Sequence, residues 1–188
     1  MKRNQAAIDA EIAQFRAIPW CAKILSAPNL VIDQSFSRFE KPKFEDALLS
    51  HTLNTPETIP GFITFYTEPK DPKAMVTELN AFISLGNLID GWGGICHGGI
   101  IMTMLDEVMG QLPAVNKLRG VMNDIQLMTA YLNTTFLKPV KTPTTVMVTS
   151  RLVKQEGRKY FIDGVIRDEH GNEMAKGKAL FVMLKSRL

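Results

Sequence analysis

The stretch Gly91-Trp92-Gly93-Gly94-Ile95-Cys96-His97-Gly98-Gly99 runs directly into Ile100-Ile101-Met102-Thr103-Met104-Leu105-Asp106-Glu107. A glycine-rich turn is therefore followed at once by an apolar segment, and the spacing of its aliphatic residues predicts a helix over residues 99–111. We expect a loop to follow at residues 113–123, where Pro113, Asn116 and Gly120 lie.

The apolar helix carries polar side chains on one face. Thr103, Asp106, Glu107 and Gly110 lie three or four positions apart, so they share a side of the helix. A buried carboxylate is costly unless it is paired or hydrogen-bonded, and perturbed acids are concentrated at functional sites. The alternative is structural: one acid faces solvent at the helix end and the other meets a basic residue of a strand.

The glycines at the start of the helix favour a second function. Gly98 and Gly99 present backbone N–H groups at a helix N-terminus, where the helix dipole favours negative charge. This arrangement is suited to an oxyanion hole, although a glycine cluster before a helix is also typical of a simple tight turn. The spacing of the glycines matches neither a Walker loop nor a dinucleotide-binding loop.

Strand-like segments flank the helix on both sides. They lie at residues 62–67 and 76–89 before it, and at 124–138, 144–154, 158–167 and 173–184 after it. The pattern predicts an α+β fold in which one long central helix is wrapped by a curved antiparallel sheet of five to six strands. Residues 1–58 are expected to form a partly helical N-terminal extension, and residues 59–188 the main domain.

The length of the helix predicts how the two parts of the site relate. Gly99 and Asp106 are seven residues apart, or roughly 10 Å along a helix. One substrate carbonyl could not easily touch both in a single subunit. Two antiparallel helices across a two-fold axis would bring each loop to the other subunit's acid, so we expect a dimer with two shared sites.

Composition and charge exclude several classes of protein. The 188 residues carry a net charge of only +3 and lack a basic stripe with interleaved aromatic residues, which argues against nucleic-acid binding. No apolar run is long enough for a membrane span, and the N-terminus lacks the apolar core of a signal peptide. Three histidines and two separated cysteines predict no metal site. Cys96 next to His97 suggests a thiol nucleophile only weakly, because sequence neighbours seldom face each other.

Cellular location is indicated only by general features. Two cysteines and ten methionines fit an intracellular protein. The tripeptide Ser186-Arg187-Leu188 resembles the Ser-Lys-Leu peroxisomal address, so we expect a peroxisomal or a cytoplasmic location.

His97-Gly98-Gly99 followed by Asp106, nine residues after the histidine, resembles the hotdog-fold thioesterases. The likeness is to the branch of the phenylacetate-pathway and human mitochondrial acyl-CoA thioesterases. Thr103-Met104-Leu105-Asp106 is similar to the helix of that branch, and Thr129-Ala130-Tyr131-Leu132-Asn133 with Lys138-Pro139 is similar to its next strand. The resemblance covers about residues 60–184.

The resemblance implies acyl-CoA hydrolysis in lipid metabolism by a homodimer or homotetramer without a cofactor. Asp106 would act as general base or nucleophile at the thioester, and the Gly98 N–H would polarise its carbonyl. His97 would shape the loop, and Thr129 would position the water or the acid. The residues expected to contact substrate are Gly99, Thr103, Glu107 and Asn133.

Two features depart from the family pattern, and two other functions stay open. The connection between the helix and the next strand, at about 111–124, is longer than usual in the family. The first 60 residues lie outside the motif. The chain could instead be a hotdog enzyme of another class, such as a hydratase or an acyl-carrier-protein hydrolase in a biosynthetic pathway. It could also be a non-catalytic acyl-binding dimer, which would have no need of the Asp106 carboxylate.

Overall fold

The computed structural model describes residues 4–123 and 126–184. The tripeptide Ser186-Arg187-Leu188 lies outside these residues, so the peroxisomal address stays a prediction. The helices are α1 (Gln5–Arg16), α2 (Pro19–Leu25) and α3 (Gly98–Leu118). The strands are β1 (Leu30–Gln34), β2 (Gly61–Thr67), β3 (Glu78–Leu85), β4 (Asp90–Trp92), β5 (Ile95–Cys96), β6 (Leu127–Phe136), β7 (Thr144–Glu156), β8 (Lys159–Arg167) and β9 (Glu173–Met183).

Seven strands form one antiparallel sheet in the order β1-β2-β3-β7-β8-β9-β6, and β4 and β5 form a separate hairpin. Helix α3 packs against β3, β6, β7, β8 and β9. The predicted α+β arrangement of one long helix and an antiparallel sheet is thereby confirmed.

The predicted number of strands was wrong by one. The additional strand, β1, comes from the N-terminal extension and pairs with β2 from Leu30↔Thr67 to Gln34↔Ile63. The edge of β2 offers free hydrogen-bonding groups to this short segment. Because the pairing depends on a partner strand distant in the sequence, the five residues of β1 carry only a weak local strand signal.

Helix α3 continues seven residues beyond its predicted end, so the loop expected at 113–123 was also wrong. Pro113 lies inside the helix and is buried. The Asn116 side chain accepts from Val76 N (2.8 Å) and donates to Val76 O (2.9 Å), which ties this part of the helix to the chain before β3. These tertiary contacts offset the loss of one backbone hydrogen bond at Pro113.

The residue that terminates α3 is a glycine in the left-handed backbone conformation. Gly120 has a φ of 71°. Its N–H donates to Lys117 O (2.9 Å), and Val121 N donates to Asn116 O (3.1 Å). These two bonds form a Schellman motif, in which a left-handed residue just after the helix satisfies its last carbonyls.

Two glycines let α3 approach the sheet closely. Gly164 on β8 pairs with Gly177 on β9. A Cβ at Gly164 would lie 2.6 Å from Met109 Sδ, and one at Gly177 would lie 3.3 Å from Leu105 Cδ1. Leu105 and Met109, both fully buried, therefore rest on bare backbone at the centre of the sheet.

Helices α1 and α2 cover part of the opposite face of the sheet. Phe15 from α1 stacks on Phe82 of β3 with 5.9 Å between ring centroids, and Trp20 from α2 meets the same ring edge-on at 4.9 Å. Ile63 and Phe65 of β2 complete this second core. Residues 5–34 thus pack against the rest of the sheet through the edge strand β1 and an apolar layer.

Candidate active site

The β4–β5 hairpin holds the glycine-rich loop in place before α3. Cys96 N donates to Val140 O (2.9 Å), and His97 N donates to Ile89 O (2.8 Å). Asp90 accepts from Gly94 N at 2.8 Å and from the Thr142 hydroxyl. The loop is therefore braced from both sides, and Asp90, which sequence reasoning missed, is one of the groups that brace it.

His97 is the N-cap of α3. Its Nδ1 accepts from Gly99 N (2.9 Å), while its carbonyl accepts from Ile100 N and Ile101 N. A neutral ring that accepts at Nδ1 carries its proton on Nε2. The Gly99 N–H, expected to face substrate, is thus occupied by His97. In the part of the chain that the structure describes, no group accepts from the Gly98 N–H, so this donor is available.

A cavity of about 370 Å³ lies beside Gly98. Its walls are mostly apolar, and Lys138 is its charged residue. The cavity brings together the end of β6, the segment after it, the start of β9, the hairpin and the first turn of α3. Its lining residues are Ile95, Cys96, Gly98, Ile101, Phe136, Leu137, Lys138, Pro139, Val140, Met174 and Ala175. An unpaired N–H at the wall of an apolar cavity can bind a carbonyl oxygen and stabilise negative charge that develops on it.

Asp106 and Thr129 meet two turns further along the helix. Thr129 Oγ1 on β6 donates to Asp106 Oδ1 on α3 at 3.0 Å. Asp106 is half-buried, while Thr129 is exposed on the edge strand. The Asp106 carboxylate is consequently hydrogen-bonded in place and still reachable from the open side of β6.

Thr103 and Asn133, which were also expected to contact substrate, lie in different parts of the structure. Thr103 Oγ1 donates to Gly99 O (2.9 Å), a bond within the helix itself. Asn133 lies exposed on β6, four residues beyond Thr129, and pairs in register with Lys178. The contacts in the described residues do not join Asn133 to Asp106.

Glu107 faces away from Thr129, toward the segment after β1. Its carboxyl accepts from Gln111 Nε2 (2.7 Å) and is also hydrogen-bonded to Ser37. Burial is the largest effect and raises the pKa of this carboxyl. The hydrogen bonds with Gln111 and Ser37 oppose this shift, while the charges of Asp46 and Asp106 add to it. Glu107 therefore belongs to a separate polar cluster. Gln111 at i+4 was its only sequence signal, since Ser37 is distant along the chain.

The alternative nucleophile Cys96 has an unsuitable environment. Its Sγ contacts His97 O (3.7 Å) rather than the imidazole, and burial raises the pKa of the thiol to about 12. Such a thiol is protonated near neutral pH and is a poor nucleophile. Across residues 4–123 and 126–184, no three His, Cys, Asp or Glu side chains converge as metal ligands do. Within the same ranges, no helix has both the length and the apolar character needed to cross a bilayer.

Strand β6 forms an open edge of the sheet. Large apolar side chains are exposed along it and just after it: Met128 (52%), Tyr131 (41%), Phe136 (54%) and Leu137 (46%). Unpaired edge strands with apolar side chains tend to associate with another strand. This edge carries Thr129 and borders the cavity at Gly98.

Comparison with known proteins places the chain among recognisable relatives. Residues 93–175 match the family model described as Thioesterase superfamily. Verlamelin biosynthesis protein B from Lecanicillium sp is 32% identical over 165 residues, which cover 72% of this chain and 71% of that protein. The mouse protein acyl-coenzyme A thioesterase THEM4 is 36% identical over 97 residues, 51% of this chain and 39% of THEM4. The match thus spans well under half of THEM4.

Solved structures show the same architecture. The crystal structure of a thioesterase superfamily protein superposes with a TM-score of 0.53 and 26% sequence identity. The superposition covers 65% of this chain and 56% of that one. The aligned part therefore leaves about a third of this chain outside the shared fold.

Proposed function

Because the chain belongs to the thioesterase superfamily, we propose that it hydrolyses acyl-CoA thioesters to a free acid and coenzyme A. The proposal depends on one observation: helix α3 carries both groups that the reaction needs. These are an unoccupied Gly98 N–H beside an apolar cavity and an Asp106 carboxylate held by Thr129. The likeness to acyl-coenzyme A thioesterase THEM4 over half of this chain supports coenzyme A as the thiol.

In the proposed reaction, the thioester carbonyl oxygen accepts from Gly98 N–H as negative charge builds on it. Asp106 takes a proton from water that attacks the carbonyl carbon. Alternatively, Asp106 attacks that carbon itself and forms an acyl-aspartate anhydride, which water then hydrolyses to the free acid. Thr129 Oγ1 donates a hydrogen bond to the Asp106 carboxylate and so keeps that carboxylate oriented. The thiolate of coenzyme A leaves and is protonated.

The proposed site needs two subunits. Gly98 and Asp106 are eight residues apart on one helix, or about 12 Å along its axis. A single carbonyl cannot contact both groups across that distance. Pairing of two β6 edges about a two-fold axis would cover the exposed apolar side chains and bring each Asp106 toward the partner's loop. We therefore propose a homodimer with two shared sites.

Hydrolysis is tested by measuring thiol release from short, medium, long and aromatic acyl-CoAs. Wild-type protein should release thiol, and Asp106→Asn should lower kcat by about 10³-fold or more, because the amide neither accepts a proton nor attacks a carbonyl. Asp9→Asn on the exposed face of α1 is the matched control and should behave as wild type. Near-normal turnover in Asp106→Asn would remove the proposal.

A second candidate is hydrolysis of a thioester on an acyl carrier protein. The likeness to a protein named for verlamelin biosynthesis, over 72% of this chain, favours a biosynthetic thioester. Assays with the same acyl group on coenzyme A and on a carrier protein separate the two candidates. A kcat/KM at least tenfold higher for the carrier-bound thioester would favour the second.

A further inference from the structure

Glu107 is the centre of a buried polar cluster that the proposed reaction does not use. The Glu107 cluster consists of Glu107 and Gln111 on α3 with Ser35 and Ser37 from the segment that follows β1. Gln111 Nε2 lies 2.6 Å from Ser35 Oγ and 2.7 Å from Glu107 Oε1, and the two serine hydroxyls are 2.9 Å apart. Ser35, Ser37 and Gln111 are all buried.

The hydrogens in this cluster are too few for its acceptors. Gln111 has two amide hydrogens, which make short bonds to Ser35 and Glu107 and leave only a longer 3.4 Å contact with Ser37 Oγ. Each serine has one hydroxyl hydrogen. One serine hydroxyl serves the other, and Ser37 is bonded to Glu107. Gln111 Oε1 is buried and no described group donates to it. Ionised Glu107 adds only acceptors to this cluster, whereas protonated Glu107 adds a donor.

The charges around Glu107 also favour its neutral form. The negative charges of Asp46, in the segment beyond Ser37, and of Asp106, the preceding residue of its own helix, both oppose ionisation of Glu107. The nearby cations are engaged elsewhere: Arg38 pairs with Glu11 (3.6 Å), and Lys41 is bonded to Asp46. An ionised Glu107 would be a half-buried anion with two acidic neighbours, and burial is the largest cause that raises its pKa.

The segment after β1, which carries Ser35 and Ser37, is itself held by hydrogen bonds to other parts of the fold. Ser35 N donates to Phe62 O (3.1 Å), and Arg38 Nη1 donates to Leu49 O (3.4 Å). Glu11 of α1, which pairs with Arg38, also accepts from Phe62 N (2.7 Å). The Glu107 cluster therefore connects α3 to a fixed point at the edge of the sheet, on the flank of the helix away from Thr129.

We propose that neutral Glu107 is a positioning residue that fixes the rotation of α3 against Ser35 and Ser37 and so keeps Asp106 aimed at Thr129. The proposal rests on the proposed thioester hydrolysis. Asp106 and Glu107 are consecutive residues of one rigid helix, so a restraint on one sets the direction of the other. Loss of the Glu107 proton puts a second negative charge beside Asp106 and removes a donor from the cluster.

The test is the pH dependence of kcat for thiol release. Wild type should lose kcat at the alkaline side as Glu107 ionises, and Glu107→Gln, which cannot ionise, should lack that decline. Asp46→Asn removes an acidic neighbour, so it should move the decline to lower pH. Glu57→Gln, an exposed acid, is the control and should keep the wild-type profile. Glu107→Ala should lower kcat about tenfold with little change in KM, and Glu107→Gln should restore most of it.

Unfolding in urea gives a readout that does not require activity. The folded-state pKa of Glu107 is raised above its unfolded value, which is roughly 4.3. Its stabilising contribution is therefore complete below the unfolded pKa and is lost as the pH rises through the folded pKa. As the pH rises from the unfolded to the folded pKa of Glu107, the urea midpoint of wild type should fall relative to that of Glu107→Gln.

The outcomes separate the two proposals. A wild-type protein that releases no thiol overturns the proposed hydrolysis and the positioning role with it, while the urea series still decides the protonation of Glu107. Activity with an identical alkaline decline in wild type and Glu107→Gln overturns the positioning role alone. A midpoint difference that is constant with pH overturns the neutral form.

Discussion

Thr129 Oγ1 on the edge strand donates a 3.0 Å hydrogen bond to Asp106 Oδ1 on the central helix. The two residues are 23 positions apart and belong to different elements, so the bond reports how α3 lies across β6. It holds one of the two carboxylate oxygens of Asp106. A carboxylate fixed in this way is prepared to accept a proton from water, with little reorganisation during the reaction.

Removal of the Thr129 hydroxyl should impair turnover. A hydrogen bond to a charged group contributes about 1.5–3 kcal/mol, so Thr129→Val should lower kcat by about 10- to 100-fold. Thr129→Ser keeps the donor and should retain most activity. Thr135→Val, on the same exposed strand, is the control for a change of side-chain polarity. Equal kcat for Thr129→Val and wild type would show that Asp106 needs no orientation from β6.

Loss of the His97 cap should affect both stability and turnover. His97 Nδ1 accepts from Gly99 N, and loss of an N-cap acceptor costs about 0.5–2 kcal/mol. His97→Ala should be destabilised by that amount in urea and should have a lower kcat, because the Gly98 loop is less ordered. His97→Asn supplies another capping acceptor and should recover the stability. The contact with Gly99 would be unimportant if His97→Ala unfolded at the wild-type midpoint.

A side chain at Gly164 should strain the contact between helix and sheet. An added Cβ would lie 2.6 Å from Met109 Sδ and 3.0 Å from Leu105 Cδ2. Gly164→Ala should therefore lower the free energy of unfolding by about 1–3 kcal/mol, as overpacking of a core does. Gly93→Ala is the control, since nothing lies within 4 Å of its added Cβ. The close approach of α3 would be doubtful if both variants unfolded alike.

Both cysteines should be unreactive in the folded protein. Burial raises the pKa of the Cys21 and Cys96 thiols to about 12, and the thiolate is the reactive form. An aromatic disulfide reagent at pH 8 should modify neither cysteine in native protein and both in urea. Fast native modification of one thiol, with parallel loss of activity, would revive a cysteine nucleophile.

Local patterns in the chain were sufficient for the elements that carry the site. The aliphatic spacing after Gly99 predicted the start and apolar character of α3. Strand-like runs, rich in β-branched and aromatic residues at β2 and alternating at β7, predicted β2, β3 and β6 to β9 within a few residues. The end of α3 and the strand β1 were missed. Pro113 is a local signal to stop, yet Asn116 is held by Val76, a residue 40 positions away.

The sequence by itself determined the α+β class, the helix with its two acids, and the glycine turn that begins it, because each depends on interactions within a few residues. Only the tertiary structure decided which acid meets Thr129 and which is buried with Ser35, 76 positions from Gln111 along the chain. It also decided that His97 accepts from the Gly99 N–H, while no group in residues 4–123 and 126–184 accepts from the Gly98 N–H. Such choices depend on contacts between distant segments, whose energies act only after the chain has brought those segments together.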